Sequence, residues 1–181
     1  MTNDIAIELA KLHTLTGADF SRQVERIALM GIFHPLEGEK DIFIAGGMQD
    51  DDFSNLLNAA RKAVEHGFRV YMLPNPKGIR TADFVFERKG IYKTFDLKTI
   101  QGKASVMTRL QDSVGQSNRV LLYMTTEYNG IALARSIKRY FERNVNAVEV
   151  LIFKSGKVMS VTRRTLKDNH FIRTFARLYY K

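Results

Sequence analysis

A chain of 181 residues without cysteine is long enough to bury an ordinary core, and it excludes disulfides and thiolate metal sites, so any metal must be held by oxygen or histidine. The net charge of +9 is lodged in one half: residues 1–100 carry 13 Lys+Arg against 14 Asp+Glu, and residues 101–181 carry 15 against 5. That balance favours a polyanionic partner such as nucleic acid, with an anionic membrane surface or plain solubility as the duller explanations.

No apolar run reaches the length of a membrane span, and the N-terminus, MTNDIAIELAKLH, lacks the layout of a signal peptide, so a soluble chain is expected. Residues 3–16 and 18–30 read as two packing helices on either side of Thr16-Gly17. Their apolar stripes are Ile5, Leu9 and Leu12, then Phe20, Val24, Ile27 and Ala28. Proline and glycine make residues 31–47 irregular, with one short strand at 41–45, and His34 before Pro35 reads as a turn residue rather than a metal ligand. Asp50, Asp51 and Asp52 open a helix that they cap and that runs to His66. A strand at 68–73 and a rigid loop at 74–78 follow.

Residues 80–100, RTADFVFERKGIYKTFDLKTI, read as a hairpin. With a period of two, Thr81, Asp83 and Val85 share one face of the first strand, and Thr94, Asp96 and Lys98 share one face of the second. A two-residue turn at Lys89-Gly90 sets Asp83 directly opposite Asp96, with Cβ atoms about 5 Å apart. A turn at Arg88-Lys89 makes them diagonal neighbours, and a one-residue bulge separates them. Two carboxylates so close repel one another and call for a shared proton or a divalent cation. With the carbonyl of Leu97 they offer an oxygen set for Mg²⁺ or Mn²⁺, beside which the Lys98 ammonium can hold a water and offset phosphoryl charge. The competing reading is a solvated hairpin face with an ion pair. Taken as exposed, either acid should be replaceable by Asn without loss of fold.

Ser105 is a plausible N-cap for a helix over 105–116, followed by a buried strand at 119–124, a helix at 130–143, a buried strand at 147–153 and a short strand at 157–161. The tail forms a helix from 169, capped by Asp168, with Phe171, Ile172, Phe175, Leu178 and Tyr179 on its apolar stripe. Lys103, Arg109, Arg119, Arg163 and Arg164 are candidate nucleic-acid contacts, joined on the tail by Lys167, Arg173 and Arg177, with Tyr180 available for base stacking.

Asp83, followed by Asp96-Leu97-Lys98 at the end of a hairpin, in the order α-β-β-β-α-β, resembles the PD-(D/E)xK nuclease superfamily, with Ala82 in place of the proline. More narrowly, LPNPKGIRTADFVFERKGIYKTFDLKTI with SVMTRLQDSVGQSNRVLLYM after it is similar to the C-terminal tRNA-cleaving toxin domains of bacterial contact-dependent growth inhibition proteins, over residues 50 to 161. The resemblance implies an α/β (α+β) domain over residues 48–181, a mixed central sheet flanked by helices, with residues 1–47 as a helical extension packed on it. It implies metal-dependent phosphodiester hydrolysis with Asp83, Asp96, Lys98 and Gln116 as catalytic residues.

The metal ligands it implies are Asp83, Asp96, the Leu97 carbonyl and a third acid from the preceding helix, either Glu65 or Asp52. Asn55 or Asn58 stands about where related toxins have a glutamate, which leaves that third ligand open. Mg²⁺ is the implied cofactor, with Mn²⁺ or Zn²⁺ as alternatives, and tRNA is favoured over DNA. A cognate immunity protein, delivery within a larger toxin and action in the cytoplasm also follow from the resemblance. A DNA endonuclease of the same superfamily and a non-catalytic nucleic-acid-binding domain are the alternatives.

Overall fold

The computed structural model describes residues 2–46, 52–103 and 105–181. Helices α1 (Thr2–Lys11) and α2 (Gly17–Ala28) precede strands β1 (Phe33–Pro35) and β2 (Ile42–Ala45). Then come α3 (Phe53–Glu65), β3 (Arg69–Met72), β4 (Phe84–Arg88), β5 (Ile91–Ile100), α4 (Val106–Asp112) and β6 (Arg119–Met124), the α-β-β-β-α-β order anticipated above. The chain closes with α5 (Gly130–Arg143), β7 (Glu149–Lys154), β8 (Lys157–Thr162), a 3-10 turn (Thr165–Lys167) and α6 (Phe171–Tyr180). The fold is therefore mixed α+β. It divides into two compact units, residues 1–97 with 115–117, and residues 98–114 with 118–181.

In the first unit β2 and β3 are parallel, while the pairs β1–β2, β3–β4 and β4–β5 are antiparallel. The apolar stripes of α1 and α2 close one core: Ile5, Leu9, Val24, Ile27 and Ala28 cluster with Tyr71, Leu73, Ala82 and Val85. By strand alternation Phe84, Phe86 and Phe95 take the face opposite Val85, and their rings meet at 5.4 and 5.0 Å between centroids. Helix α3 turns Ala59, Ala60 and Ala63 inward, small side chains that let its backbone approach β2 and β3 closely.

In the second unit β6 and β7 are parallel, and β8 returns antiparallel to β7. Its core joins Val106, Leu110, Val120, Leu122, Leu133, Ile137, Val150 and Ile152 to Phe171, Phe175 and Tyr179 of the tail helix. The aromatics of the tail dock as anticipated.

Several element ends differ from the sequence reading, each for a local reason. Helix α1 stops at Lys11, where the Thr14 hydroxyl takes the Lys11 carbonyl at 3.0 Å and the next amides bond three residues back. Helix α4 has the anticipated Ser105 cap, whose hydroxyl accepts from the Thr108 amide at 3.4 Å. It ends four residues early because the Ser113 hydroxyl folds onto the Leu110 carbonyl at 2.6 Å and Gly115 takes φ 85°. Phe33–Pro35 is a short strand rather than irregular chain, with His34 exposed and paired with Ile44; proline is tolerated because β1 pairs on one side only.

Asp52 stands at the start of α3 without a side-chain capping bond, and Asp50 and Asp51 lie outside the described residues. The tail helix begins at Phe171, two residues later than read. Asp168 still serves its entry by accepting the His170 amide at 2.8 Å.

The hairpin turn is the two-residue one. Lys89 and Gly90 have φ of 53° and 76°, both left-handed, and Arg88 pairs with Ile91 at the head of an unbroken ladder to Phe84–Phe95. The Gly90 amide also donates to Glu87 Oε1 at 2.7 Å. A side-chain-bearing residue in this region costs roughly 1–2 kcal/mol, less for asparagine. Lys89→Asn should therefore raise stability by about 0.5 kcal/mol, and Gly90→Val should lower it by about 1–2 kcal/mol, each measured by urea denaturation. An unchanged midpoint for Gly90→Val would mean that this turn does not hold the register.

Candidate active site

Asp83 is fastened by the backbone on both sides. Its amide donates at 3.0 Å to the carbonyl of Phe95, the residue already paired with Phe84, so the β4–β5 ladder ends there one residue out of step, and its own carbonyl accepts from the Leu73 amide at 2.8 Å. The Lys89-Gly90 turn thus sets the register as far as Phe84–Phe95, but the direct Asp83–Asp96 pairing expected from it is not formed, because Asp83 and Phe84 both face Phe95 as in a one-residue bulge. Asp83 Oδ2 accepts from the Leu97 amide at 2.6 Å, a short charge-assisted bond that orients this carboxylate.

Burial corrects the sequence reading. Asp96 is 0 % exposed, both of its carboxylate oxygens are shut off from solvent, and Thr94 beside it on the same face is 2 % exposed. Asp83 and Lys98 are half-buried. A solvated hairpin face is therefore excluded, and Asp96 is not an exposed acid that can be exchanged without consequence. A carboxylate removed from water needs compensating positive charge or donors. Lys98, two residues farther along β5, falls on the Asp96 face by the strand period.

The donor set suits a hard divalent cation: two carboxylates, one with a single oxygen bonded to Leu97 and one sealed from bulk water, together with the Leu97 main-chain carbonyl. All-oxygen ligation fits Mg²⁺ or Mn²⁺ better than Zn²⁺, which favours nitrogen and sulfur. Among the described residues no group of three or more His, Asp or Glu side chains is placed to share one ion. Glu65 is exposed on the last turn of α3, where its carboxylate pairs with Lys62 at 2.6 Å.

Gln116 belongs to a turn tied to β5. The Ser117 hydroxyl lies 3.3 Å from Thr94 Oγ1 and 3.4 Å from the Thr94 carbonyl, two residues before Asp96, which brings the half-buried Gln116 alongside the acid-bearing strand. Arg80 reaches the same turn: a Cβ on Gly115 would sit 3.7 Å from its Nη1. Arg80, Thr94 and Ser117 were not singled out by sequence. Arg80 could have been, as a cation three residues before Asp83; the contact between Thr94 and Ser117 is tertiary and left no pattern.

The other candidate cations divide. Lys103, Arg109 and Arg164 are exposed. Arg119 Nε lies 3.5 Å from Glu149 Oε2, and Glu149 also accepts from Ser160 Oγ at 2.8 Å. Burial pushes the Arg119 guanidinium below its ordinary pKa, with Glu149 opposing the shift. Arg163 Nη2 donates to the carbonyls of Phe141 at 3.3 Å and Asn144 at 2.6 Å, closing the C-terminal end of α5, and its guanidinium lies 5.4 Å from the Phe141 ring centroid. Tyr180 is exposed, but its hydroxyl accepts from the Gly130 amide at 2.8 Å and so serves the start of α5.

No family model and no curated protein matches the chain. Among solved structures, a CdiA-CT/CdiI toxin and immunity complex from Burkholderia pseudomallei is similar over 66% of this chain and 98% of that one, with 12% identity and a TM-score of 0.40. A likeness at that score decides neither fold nor chemistry.

If the acid pair binds a cation, Mg²⁺ or Mn²⁺ at 100 times its Kd should stabilise the protein by about 2.7 kcal/mol. Asp96→Asn should lose that shift, because a neutral amide replaces a carboxylate of the donor set. A metal-induced shift of wild-type size in Asp96→Asn, followed by calorimetry, would remove this residue from the donor set.

Proposed function

We propose that this chain is a metal-dependent nuclease that hydrolyses phosphodiester bonds. The observation that carries the reading is the 2.6 Å bond from the Leu97 amide to Asp83 Oδ2, which fixes one carboxylate against the strand that carries the fully buried Asp96, with Lys98 two residues farther along that strand. Asp83, Asp96 and the Leu97 carbonyl would hold the divalent cation, Mg²⁺ in the first place. When bound, it supplies Lewis acidity, lowering the pKa of a water and offsetting phosphate charge.

The protein's own groups do the rest. The Leu97 amide fixes the Asp83 carboxylate, and the Lys98 ammonium positions the attacking water and meets the negative charge that grows on the phosphoryl oxygens. Gln116 and Arg80, held at the 115–117 turn, supply polar contact to the substrate backbone.

tRNA is the substrate in this proposal, supported by the sequence resemblance of residues 50–161 and by the basic second half. The same resemblance supports a toxin domain carried within a larger protein, acting in the cytoplasm and neutralised by a cognate immunity protein. A non-catalytic nucleic-acid-binding domain is the second reading. It is favoured by the fact that no third His, Asp or Glu joins the pair among the described residues. Incubation with total tRNA and with plasmid DNA, each with Mg²⁺, Mn²⁺ or EDTA, separates these. Cleavage of tRNA alone, stopped by EDTA, is the outcome proposed, and binding without cleavage of either would favour the second reading.

Lys98→Ala should lose about 10² to 10³ in single-turnover rate, the usual cost of removing one preorganised electrostatic partner, while keeping its Mg²⁺ affinity. Full activity would take Lys98 out of the mechanism. Loss of Mg²⁺ binding would show that the lysine holds the acids in place rather than serving the reaction.

A further inference from the structure

We propose that a basic pocket in the second unit is a phosphodiester-binding site that does not take part in the chemistry. Lys138, Phe141 and Glu142 of α5, with Arg163, Leu166 and Lys167 around the 3-10 turn, line an open pocket of about 210 Å³. Sites for whole small molecules run to roughly 300–1,000 Å³. This one is sized for a single group of a longer molecule, a phosphodiester with part of its sugar.

The lining sets the sign of the ligand. Three cations face one carboxylate, so the pocket attracts an anion, and Phe141 and Leu166 give it an apolar floor against which a sugar can lie. Arg163 is preorganised: two main-chain carbonyls hold its Nη2 and the Phe141 ring lies beneath it, which leaves the rest of the guanidinium fork for an anion at little further entropic cost. Lys138 and Lys167 are exposed and in no ion pair among the described residues.

The pocket does not stand alone on this surface. Arg135, Arg139 and Arg143 are also exposed on α5, at spacings of one to five residues from Lys138, so the helix presents a run of cations that a polymer of phosphates can follow. A flexible polyanion then gains one fixed contact at Arg163 and diffuse attraction along the helix.

The inference rests on the reading that the chain acts on a nucleic acid, and its test is made in EDTA so that cleavage plays no part. Binding of a 20-nucleotide single-stranded RNA is measured against salt for wild type, for Lys138→Ala with Lys167→Ala, and for Lys157→Ala with Lys181→Ala. The last pair removes the same charge from positions of the same unit outside the pocket. The pocket variant should reduce the slope of log K against log salt by about 1.4, two single-strand phosphate contacts at roughly 0.7 each, and the control should change it by less than half of that.

Equal loss in both variants would overturn the site and leave only general charge. Polyglutamate of matched charge number is the second ligand. If it binds as tightly as the RNA and is weakened as much by the pocket variant, the pocket recognises an acidic protein surface and the proposal fails. Absence of cleavage in Mg²⁺ with the slope change intact would instead count against the nuclease reading and leave the pocket standing.

Discussion

A carboxylate sealed from water is the constraint on which the first unit depends. Asp96 lies in a strand whose neighbours are Phe95 and Leu97, and it is 0 % exposed. Placing a charge there is costly unless positive groups or donors answer it. The surrounding backbone is arranged to a corresponding degree: Asp83 is pinned through its amide, its carbonyl and its carboxylate, and the last of these bonds ends on Leu97, next to Asp96. The core packed by α1 and α2 holds Val85, which shares the face of Asp96 by the pairing of Val85 with Thr94, while three phenylalanines pack the other face. A strand buried on both faces tolerates no slip, since moving one residue would put Phe95 or Leu97 where Asp96 now stands.

Much of this was legible because it is local. The period of two identified the hairpin, and β6 and α5 have the boundaries read from their apolar patterns, since continuous burial and a 3.6-residue stripe are strong signals. The stripes of α1 and α2 named the residues that form the core. What was not legible depends on chain that arrives from elsewhere. Alternation places Asp96 on a face but cannot say whether that face is wet, and the structure buries it. Ser117 reaches Thr94 across 23 residues, and that tie brings Gln116 to the strand. Helix ends were missed where one hydroxyl, from Thr14 or Ser113, takes a carbonyl that the helix would otherwise have used.

Charge shows the same division. The basic second half suggests a broad surface for a polyanion, yet several of its cations are spent inside the unit. Arg119 sits against Glu149, while Lys154 bonds the Tyr179 carbonyl at 3.3 Å, lies 3.3 Å from Glu127 and stands 3.9 Å over the Tyr179 ring. Arg163 closes a helix while keeping part of its fork at the mouth of a pocket. Counting lysines and arginines thus overstates the charge available to a ligand. The exposed cations, among them those of α5 and of the 3-10 turn, are what remain for recognition.

The central claim is that Asp83 and Asp96 share a divalent cation. Anomalous diffraction from crystals soaked in Mn²⁺ tests it most directly. The account predicts a peak between the two carboxylates, about 2.0–2.3 Å from an oxygen of each, close to the range of hard oxygen-ligated cations. A map with Mn²⁺ bound elsewhere and no peak at this pair, at metal concentrations that saturate the protein in solution, would contradict it.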